Sequence, residues 1–278
     1  MMKDVLSFLR QWPDGCTRPL AMGVLNLTPD SFHDGGRYIE EYKALEQVLR
    51  LASQGADIID IGAASSRPGY TPLSWEEEAG RLLPLLSRLS REKLPSRLPL
   101  LSVDTDNSQV AAAALSAGAA MLNDTSGRLD SPCFELAAAA RVPLCIMFRA
   151  GAAAEAEAES VLRAVEGFFR SGVERAARAG LPRHLLILDP GLGFNQTPRQ
   201  SLDLIEALPR LNRLGQPLLI GYSHKRCSAA LSGEAPGLAP LGNARLARRV
   251  TGLGAAIVRV HEIDAFFRAI AHDNVKSL

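Results

Sequence analysis

Residues 56–62, ADIIDIG, form a short apolar run, and the stretch AASSRPGYTP follows at 63–72. A run of this length that is rich in isoleucine predicts a strand buried on both faces of a parallel sheet. Gly55, directly before the run, is the residue type that ends a helix in the left-handed conformation. The segment therefore predicts a helix end, a buried strand and a long loop in succession, which is part of a βα repeat.

Seven further runs of the same kind lie along the chain, separated by longer segments with helical patterns. They occupy residues 20–28, 99–105, 121–126, 143–148, 185–191, 217–223 and 256–262. Eight βα units in roughly 250 residues are typical of a closed barrel. We therefore predict an α/β fold, a single (β/α)₈ TIM barrel with a parallel eight-stranded core. The domain is expected to cover residues 1–278, with residues 1–19 as an N-terminal extension that caps the barrel.

Several helix ends are marked in the sequence. Ser74 with Glu77, and Thr197 with Gln200, have the spacing of a capping box at a helix start. Gly118 stands before the fourth run as Gly55 does before the second. These boundaries support the alternation of strands and helices.

Composition limits the classes of partner. The chain has 278 residues, a net charge of +1 and 47% hydrophobic residues. A near-neutral chain has no overall field to hold nucleic acid or an anionic membrane, and no stretch approaches the length of a membrane span. Four cysteines lack the spacing of a zinc site. We expect a cytoplasmic protein with small-molecule substrates.

Polar residues stand at or near the ends of all the predicted strands except the fifth. They are Asn26, Asp60, Asp104, Asn123 with Asp124, Asp189, Ser223 with Lys225, and Arg259 with His261. The carboxyl ends of barrel strands meet at one mouth, where enzymes of this fold bind and react with their substrates. The pattern predicts an active site there.

The polar residues divide into two groups by their chemistry. Arg259 and His261, which Arg67 could join from the loop after the second strand, would form an anion pocket. A second group suits a flat heterocycle with N–H donors and a carbonyl, and it consists of Asp104, Asn123, Asp189 and Lys225. Asp and Asn also coordinate Mg²⁺, so a metal site is the alternative, although no carboxylate cluster stands in the sequence.

At these residues the chain resembles the dihydropteroate synthase family of pterin-binding TIM barrels. The similar motifs are GVLNLTPDSFHDGGRY at 23–38, DIIDIGAASSRPG at 57–69, SVDT at 102–105, NDTSG at 123–127, DPGLGF at 189–194, YSHKR at 222–226 and RVHE at 259–262. The resemblance implies a transferase of folate biosynthesis, which condenses 6-hydroxymethyl-7,8-dihydropterin diphosphate with 4-aminobenzoate to give 7,8-dihydropteroate and pyrophosphate. It also implies a homodimer, magnesium dependence and a sulfonamide target.

The resemblance assigns roles by position. The pterin would be held by Asp104, Asn123, Asp189 and Lys225. The diphosphate would be held by Asn26, Arg67, Arg259 and His261. The 4-aminobenzoate would be framed by Phe32, Ser66, Pro68, Ser223 and Lys225. The catalytic set would be Asn26, Arg67, Lys225, Arg259 and His261, with Asn26 also as the protein ligand of Mg²⁺.

Some positions depart from the pattern of the family. Ala63 and Ala64 replace the usual glycine and glutamate, and Ser66 replaces a common threonine, so sulfonamide sensitivity is expected to change. The other departures are Phe148 in place of a histidine, His224 in place of an arginine, and Asn195–Gln196 in place of Gly-Lys. These changes leave two alternatives open, a noncatalytic pterin-binding paralogue and a methyltransferase acting on methyltetrahydrofolate.

Overall fold

A computed structural model describes residues 2–14, 16–27, 37–64, 73–91, 98–149, 158–235, 237 and 239–271. Within them lie eight strands: β1 (Leu20–Asn26), β2 (Ile58–Gly62), β3 (Leu100–Thr105), β4 (Met121–Asp124), β5 (Leu144–Met147), β6 (Leu186–Asp189), β7 (Leu219–Gly221) and β8 (Ile257–Val260). Each falls inside one of the eight runs, and several runs extend a few residues beyond the strand into the following loop.

The strands form one parallel sheet in the order β6-β5-β4-β3-β2-β1-β8-β7. A parallel bridge between Leu188 and Leu218 joins the two edges, and the Leu188 amide donates to the Pro217 carbonyl at 3.0 Å. The sheet is therefore a nearly closed barrel, which confirms the predicted fold class.

Helices connect the strands. They are α1 (Met2–Gln11), α2 (Arg37–Ser53), α3 (Trp75–Arg91), α4 (Ser108–Ser116), α5 (Cys133–Ala140), α6 (Ala158–Arg178), α7 (Pro198–Glu206), α8 (Leu208–Leu211), α9 (Arg226–Ser232), α10 (Pro240–Gly252) and α11 (Ile263–Ala271). None of the described helices is both long and apolar enough to cross a membrane.

The predicted helix signals are confirmed. Ser74 and Glu77 exchange hydrogen bonds at the start of α3, and Thr197 and Gln200 form a capping box at α7. Gly55 and Gly118 have φ of +93° and +112°, conformations that L side chains rarely adopt.

The hydrophobic core has two parts because alternate residues of a strand face opposite ways. Outward-facing residues such as Val103 and Val258 pack among the residues of the surrounding helices. Inward-facing residues fill the lower half of the barrel, and they include Met22, Ile58, Leu100, Met121, Ile187, Leu219 and Ile257. Val5 and Leu9 of α1 belong to the same inner cluster, so α1 packs against the N-terminal ends of the strands.

Gly191 sets the turn that follows β6. Its φ is +66°, and a Cβ at this position would overlap the carbonyl oxygen of Phe148. The Gly191 amide donates to the Asp189 carboxylate at 2.7 Å. The tight turn therefore holds the side chain at the end of β6.

We expect Gly191→Ala to lower the free energy of unfolding by at least about 3 kcal/mol, because a buried clash adds to the strained φ. Gly180→Ala is the matched control, since Gly180 has φ of +76° but open space at its Cβ position. It should cost only about 1 kcal/mol. Urea unfolding of both variants measures the difference, and equal losses would contradict the role given to the Phe148 contact.

Candidate active site

The upper half of the barrel interior is polar. Above the apolar lower layer, the next inward-facing positions of the strands are occupied by Asp60, Ser102, Asp104, Asn123, Asp189 and Arg259. The strand register places Asp60 beside Ser102, and Asp104 beside Asn123. The change from apolar to polar residues along the same strand faces creates the site.

Asp60 is the centre of the polar layer. Its side chain is fully buried, with Oδ1 accepting from the Ser102 hydroxyl at 2.7 Å. Oδ2 accepts from Asn123 Nδ2 at 2.9 Å and from Arg259 Nε at 2.7 Å. In the sequence Asp60 is recognisable as a polar strand residue, but no role follows from its position there. The available signal was an acid two residues before the end of an apolar strand, on the inward face.

Asn123 presents a buried acceptor. Because its Nδ2 donates to Asp60, the amide orientation leaves Oδ1 directed elsewhere. That oxygen is buried and has no hydrogen-bond partner among the described residues. A buried polar atom without a partner costs about 1–3 kcal/mol. A ligand N–H donor would satisfy it.

Asp104 lies beside this group and shares its cation. Its Oδ1 accepts from the Thr125 hydroxyl at 3.1 Å, and its Oδ2 accepts from an Arg259 NH2 group at 2.8 Å. Burial raises the pKa of the carboxyl to about 6, with Arg259 opposing the shift and the Asp60 charge adding to it. Two carboxylates thus hold one guanidinium, and the carboxyl of Asp104 is a weaker acid than an ordinary aspartate.

Asp189 and Lys225 form the opposite side of the pocket. Burial raises the pKa of Asp189, and the Lys225 charge opposes that shift. Burial likewise lowers the pKa of Lys225, and the Asp189 charge opposes that shift. Lys225 Nζ donates to the Leu192 carbonyl at 2.6 Å and lies 4.9 Å from the ring centroid of Phe194. Phe194 was not among the predicted site residues. Its position as the aromatic residue of the DPGLGF motif could have indicated it.

The anion half of the mouth is built by the ends of β7 and β8. His261 Nδ1 lies 3.0 Å from the Ser223 hydroxyl, and its ring stacks on that of His224. Asn26 is exposed at the end of β1. The structure therefore brings Ser223 and His261 together, and His261 follows Arg259 by two residues, just beyond the end of β8. The remaining predicted residues, Phe32, Ser66, Arg67 and Pro68, lie outside the described residues.

One sequence-based interpretation needs correction, and one predicted residue has contacts beyond its predicted role. Asp124 does not join the site, because it faces away from the interior, where Ser131 donates to it at 2.5 Å and the Ser126 amide at 2.9 Å. Arg259 is not only a residue of the anion half, since its Nε and one NH2 group pair with the carboxylates of the heterocycle half. Burial opposes its charge, but Asp60 and Asp104 raise the pKa of the guanidinium.

The pocket thus combines fixed hydrogen-bond acceptors with the partly buried ammonium of Lys225. Comparison with known proteins agrees with it. The family model described as "pterin binding enzyme" matches residues 22–261. This chain belongs to the pterin-binding enzyme family.

Relatives and solved structures narrow the family. The dihydropteroate synthase of Streptococcus pyogenes serotype M6 is 38% identical over 251 residues, covering 88% of this chain and 90% of that protein. The dihydropteroate synthase of Xanthomonas albilineans, solved with 4-aminobenzoic acid, is 37% identical with a TM-score of 0.84, covering 94% of each chain. A Haloferax volcanii protein named "probable bifunctional folylpolyglutamate synthase/dihydropteroate synthase" is 38% identical over 91% of this chain, which spans only 30% of that protein. By these relationships the chain belongs to the dihydropteroate synthases within that family.

The departures from the usual pattern of these enzymes lie around the pocket. Phe148 packs edge-on against Phe168 with ring centroids 5.7 Å apart. Gln196 is buried, where it donates to the Pro190 carbonyl at 3.1 Å and accepts from the Ser201 hydroxyl at 3.0 Å. Ala63 is buried, and its carbonyl accepts from Arg81 at 3.2 Å. These residues support the loops that follow the strands and leave the buried polar groups in place.

Among the described residues, no group of three or more His, Cys, Asp or Glu side chains could hold a metal ion. Asp60 and Asp104 are instead engaged by Arg259, Asn123, Ser102 and Thr125. Asp189 accepts from the Gly191 amide. The heterocycle interpretation therefore fits these carboxylates better than a protein cage for Mg²⁺.

We expect Asp104 to titrate near pH 6, as its environment indicates. Because its pKa in the folded state lies above the unfolded value of about 3.9, its ionisation opposes folding at neutral pH. That cost disappears as the pH falls through 6 toward the unfolded value. Asp60→Asn should lower the Asp104 pKa, since it removes a repelling charge. Carbon-13 NMR of the aspartate carboxyls measures both.

Asp264→Asn, an exposed substitution on α11, serves as the control for the NMR titration. It should leave the Asp104 titration unchanged. A parent Asp104 that titrates below about pH 5 would refute the raised pKa, and one that Asp60→Asn does not move would refute the coupling between the two carboxyls.

Proposed function

We propose that the polar layer of this dihydropteroate synthase is its pterin site, with Asp104, Asn123, Asp189 and Lys225 as the groups that contact the heterocycle. The enzyme condenses 6-hydroxymethyl-7,8-dihydropterin diphosphate with 4-aminobenzoate to give 7,8-dihydropteroate and pyrophosphate. The main support is the buried Asn123 Oδ1, which has no partner among the described residues, on a side chain whose Nδ2 donates to Asp60 and whose strand neighbour is Asp104. Such an oxygen calls for a ligand donor.

The hydrogen-bonding groups match a pterin edge by type. The ring N–H and amino groups are donors, which suit the carboxylates of Asp104 and Asp189 and the Asn123 oxygen. The pterin carbonyl is an acceptor, and the Lys225 ammonium has three N–H donors, of which Leu192 takes one. Asp60 would act by holding Asn123 and Arg259 in place rather than by touching the ligand.

The diphosphate is proposed to bind at the adjacent half, through Asn26, Arg67, Arg259 and His261. Arg259 uses its Nε and one NH2 group on Asp60 and Asp104, and a guanidinium has five N–H donors. The remaining N–H groups could meet the leaving group. Positive charge fixed before the reaction stabilises negative charge that develops as pyrophosphate departs.

The 4-aminobenzoate is proposed to lie against Phe32, Ser66, Pro68, Ser223 and Lys225. Its amine is a neutral nucleophile, so the chain need not supply a strong base. The amine attacks the methylene carbon as the C–O bond to the diphosphate breaks, and it then loses a proton. Holding the amine in line behind the carbon would supply much of the rate.

Magnesium is implied by the family resemblance, and Asn26 would be its protein ligand. The exposed Asn26 side chain offers a single amide oxygen at the barrel mouth. Mg²⁺ keeps several waters and binds substrate phosphates with few protein ligands, so the residue type fits. When bound, the ion would neutralise charge on the diphosphate oxygens.

We also propose a homodimer that forms through the outer helices near the end of the chain. Leu231 of α9 and Leu241 of α10 are exposed apolar side chains on that side. A cytoplasmic location is proposed as well, on the composition of the chain.

Purified protein is expected to release pyrophosphate and form dihydropteroate when given both substrates and Mg²⁺. Omission of 4-aminobenzoate or chelation of the metal is the control. Binding of the pterin diphosphate without turnover would instead select a noncatalytic paralogue.

Asp189→Asn should weaken binding of 6-hydroxymethylpterin about 30-fold or more, because a charged hydrogen bond in a buried site is worth roughly 2–3 kcal/mol. Binding of 4-aminobenzoate should change less than about threefold. Calorimetry on each ligand measures both. Asp130→Asn, on an exposed residue, is the matched control, and equal losses for the two ligands would rule out the assigned role.

A further inference from the structure

His224 and His261 form a pair of parallel imidazoles at the barrel mouth. Their ring centroids are 4.3 Å apart and their planes differ by 8°. His224 lies in the short turn between β7 and α9, in which the Lys225 amide donates to the Tyr222 carbonyl at 3.1 Å. The stack therefore joins the end of β7 to the end of β8.

The backbone of His224 is held in an uncommon conformation. Its φ is +60°, which costs of order 1 kcal/mol for a residue with a Cβ, although histidine tolerates it better than most. The buried neighbours Tyr222 and Ser223 fix the turn on one side. The surrounding structure thus keeps the imidazole over His261.

His224 also engages an acid next to the anion half. Its Nε2 lies 2.8 Å from Glu262 Oε1, and Glu262 directly follows His261 in the chain. A carboxylate beside a diphosphate would repel it. At this distance from a carboxylate oxygen, Nε2 carries the proton and donates it, which directs the carboxylate toward His224.

We propose that His224 is a positioning residue for the leaving-group site: its ring fixes the plane of His261, and its Nε2–H holds the Glu262 carboxylate away from the pyrophosphate. The inference rests on the proposed diphosphate role of His261. Ser223 restrains the same ring through Nδ1 at 3.0 Å, so His261 is held by a face contact and by an edge contact. Neither contact requires His224 to touch the substrate.

His224→Phe keeps a flat ring but removes the donor to Glu262. We expect the Kd of pyrophosphate and the KM of the pterin diphosphate to rise about fivefold. This is the size of effect expected when an exposed carboxylate, here Glu262, repels the phosphate groups. The KM for the aminobenzoate substrate should change less than about twofold. Calorimetry with pyrophosphate and Mg²⁺ gives a readout that does not depend on turnover.

A double variant distinguishes the loss of the hydrogen bond to Glu262 from a general defect in folding. Adding Glu262→Gln to His224→Phe should restore pyrophosphate binding to within about twofold of the parent, because the repelling charge is gone. His224→Gln keeps an N–H donor but removes the ring, so its loss of binding should not be recovered by Glu262→Gln. His184→Phe, in the turn before β6 at the other end of the barrel, is the matched control and should bind like the parent.

The outcomes distinguish this inference from the proposed site. Loss of pyrophosphate binding in His261→Gln together with parent-like binding in both His224→Phe and His224→Gln would overturn the inference and leave the diphosphate site standing. Unchanged binding in His261→Gln would overturn the diphosphate assignment and the inference with it. Failure of Glu262→Gln to rescue His224→Phe would overturn the shielding of Glu262.

Discussion

The site depends on one guanidinium held between the fully buried carboxylate of Asp60 and the partly buried carboxylate of Asp104. Arg259 on β8 pairs with Asp60 on β2 and Asp104 on β3, so three strands converge on a single charge. Removing one partner of such a group would leave a buried charge without compensation, at a cost of about 3–5 kcal/mol. Because Asp60 also accepts from Asn123, the position of the guanidinium fixes the orientation of the amide. The acceptors of the proposed pterin site would therefore follow from the ion pairs.

The pocket contains more acidic than basic side chains. Asp60, Asp104 and Asp189 face Arg259 and Lys225, so three acids share two bases when all are ionised. Burial raises the pKa of Asp104 and of Asp189, which is the response expected of acids in excess in a site shielded from water. A ligand edge rich in N–H donors would stabilise the surplus carboxylate by hydrogen bonds without bringing a full positive charge.

The sequence predicted the eight strands because each is an apolar run bounded by glycine, proline or polar residues, and that signal is local. It predicted the mouth as well, since Asp104, Asn123, Asp189 and Lys225 converge there. It gave no role to Asp60, because the partners of Asp60 depend on strand register. Ser102 is 42 residues away and Arg259 is 199 residues away in the chain. Asp124 was misassigned for a related reason: neighbouring residues of a strand point to opposite faces, and Asn123 takes the inward one.

The loop after β6 explains how the pocket keeps its shape despite substitutions around it. Gln196 and Ser201 bond to each other and to the loop backbone, both accepting from the Gly193 amide, and Gly191 permits the close approach of Phe148. These contacts fix the Leu192 carbonyl, which in turn accepts from Lys225. Lys225 is thereby held by the backbone, at a distance set by the loop, even though Asn195 and Gln196 differ from the usual residues. The position of the ammonium is thus a property of the turn, and substitutions that keep the hydrogen bonds of the turn leave Lys225 in place.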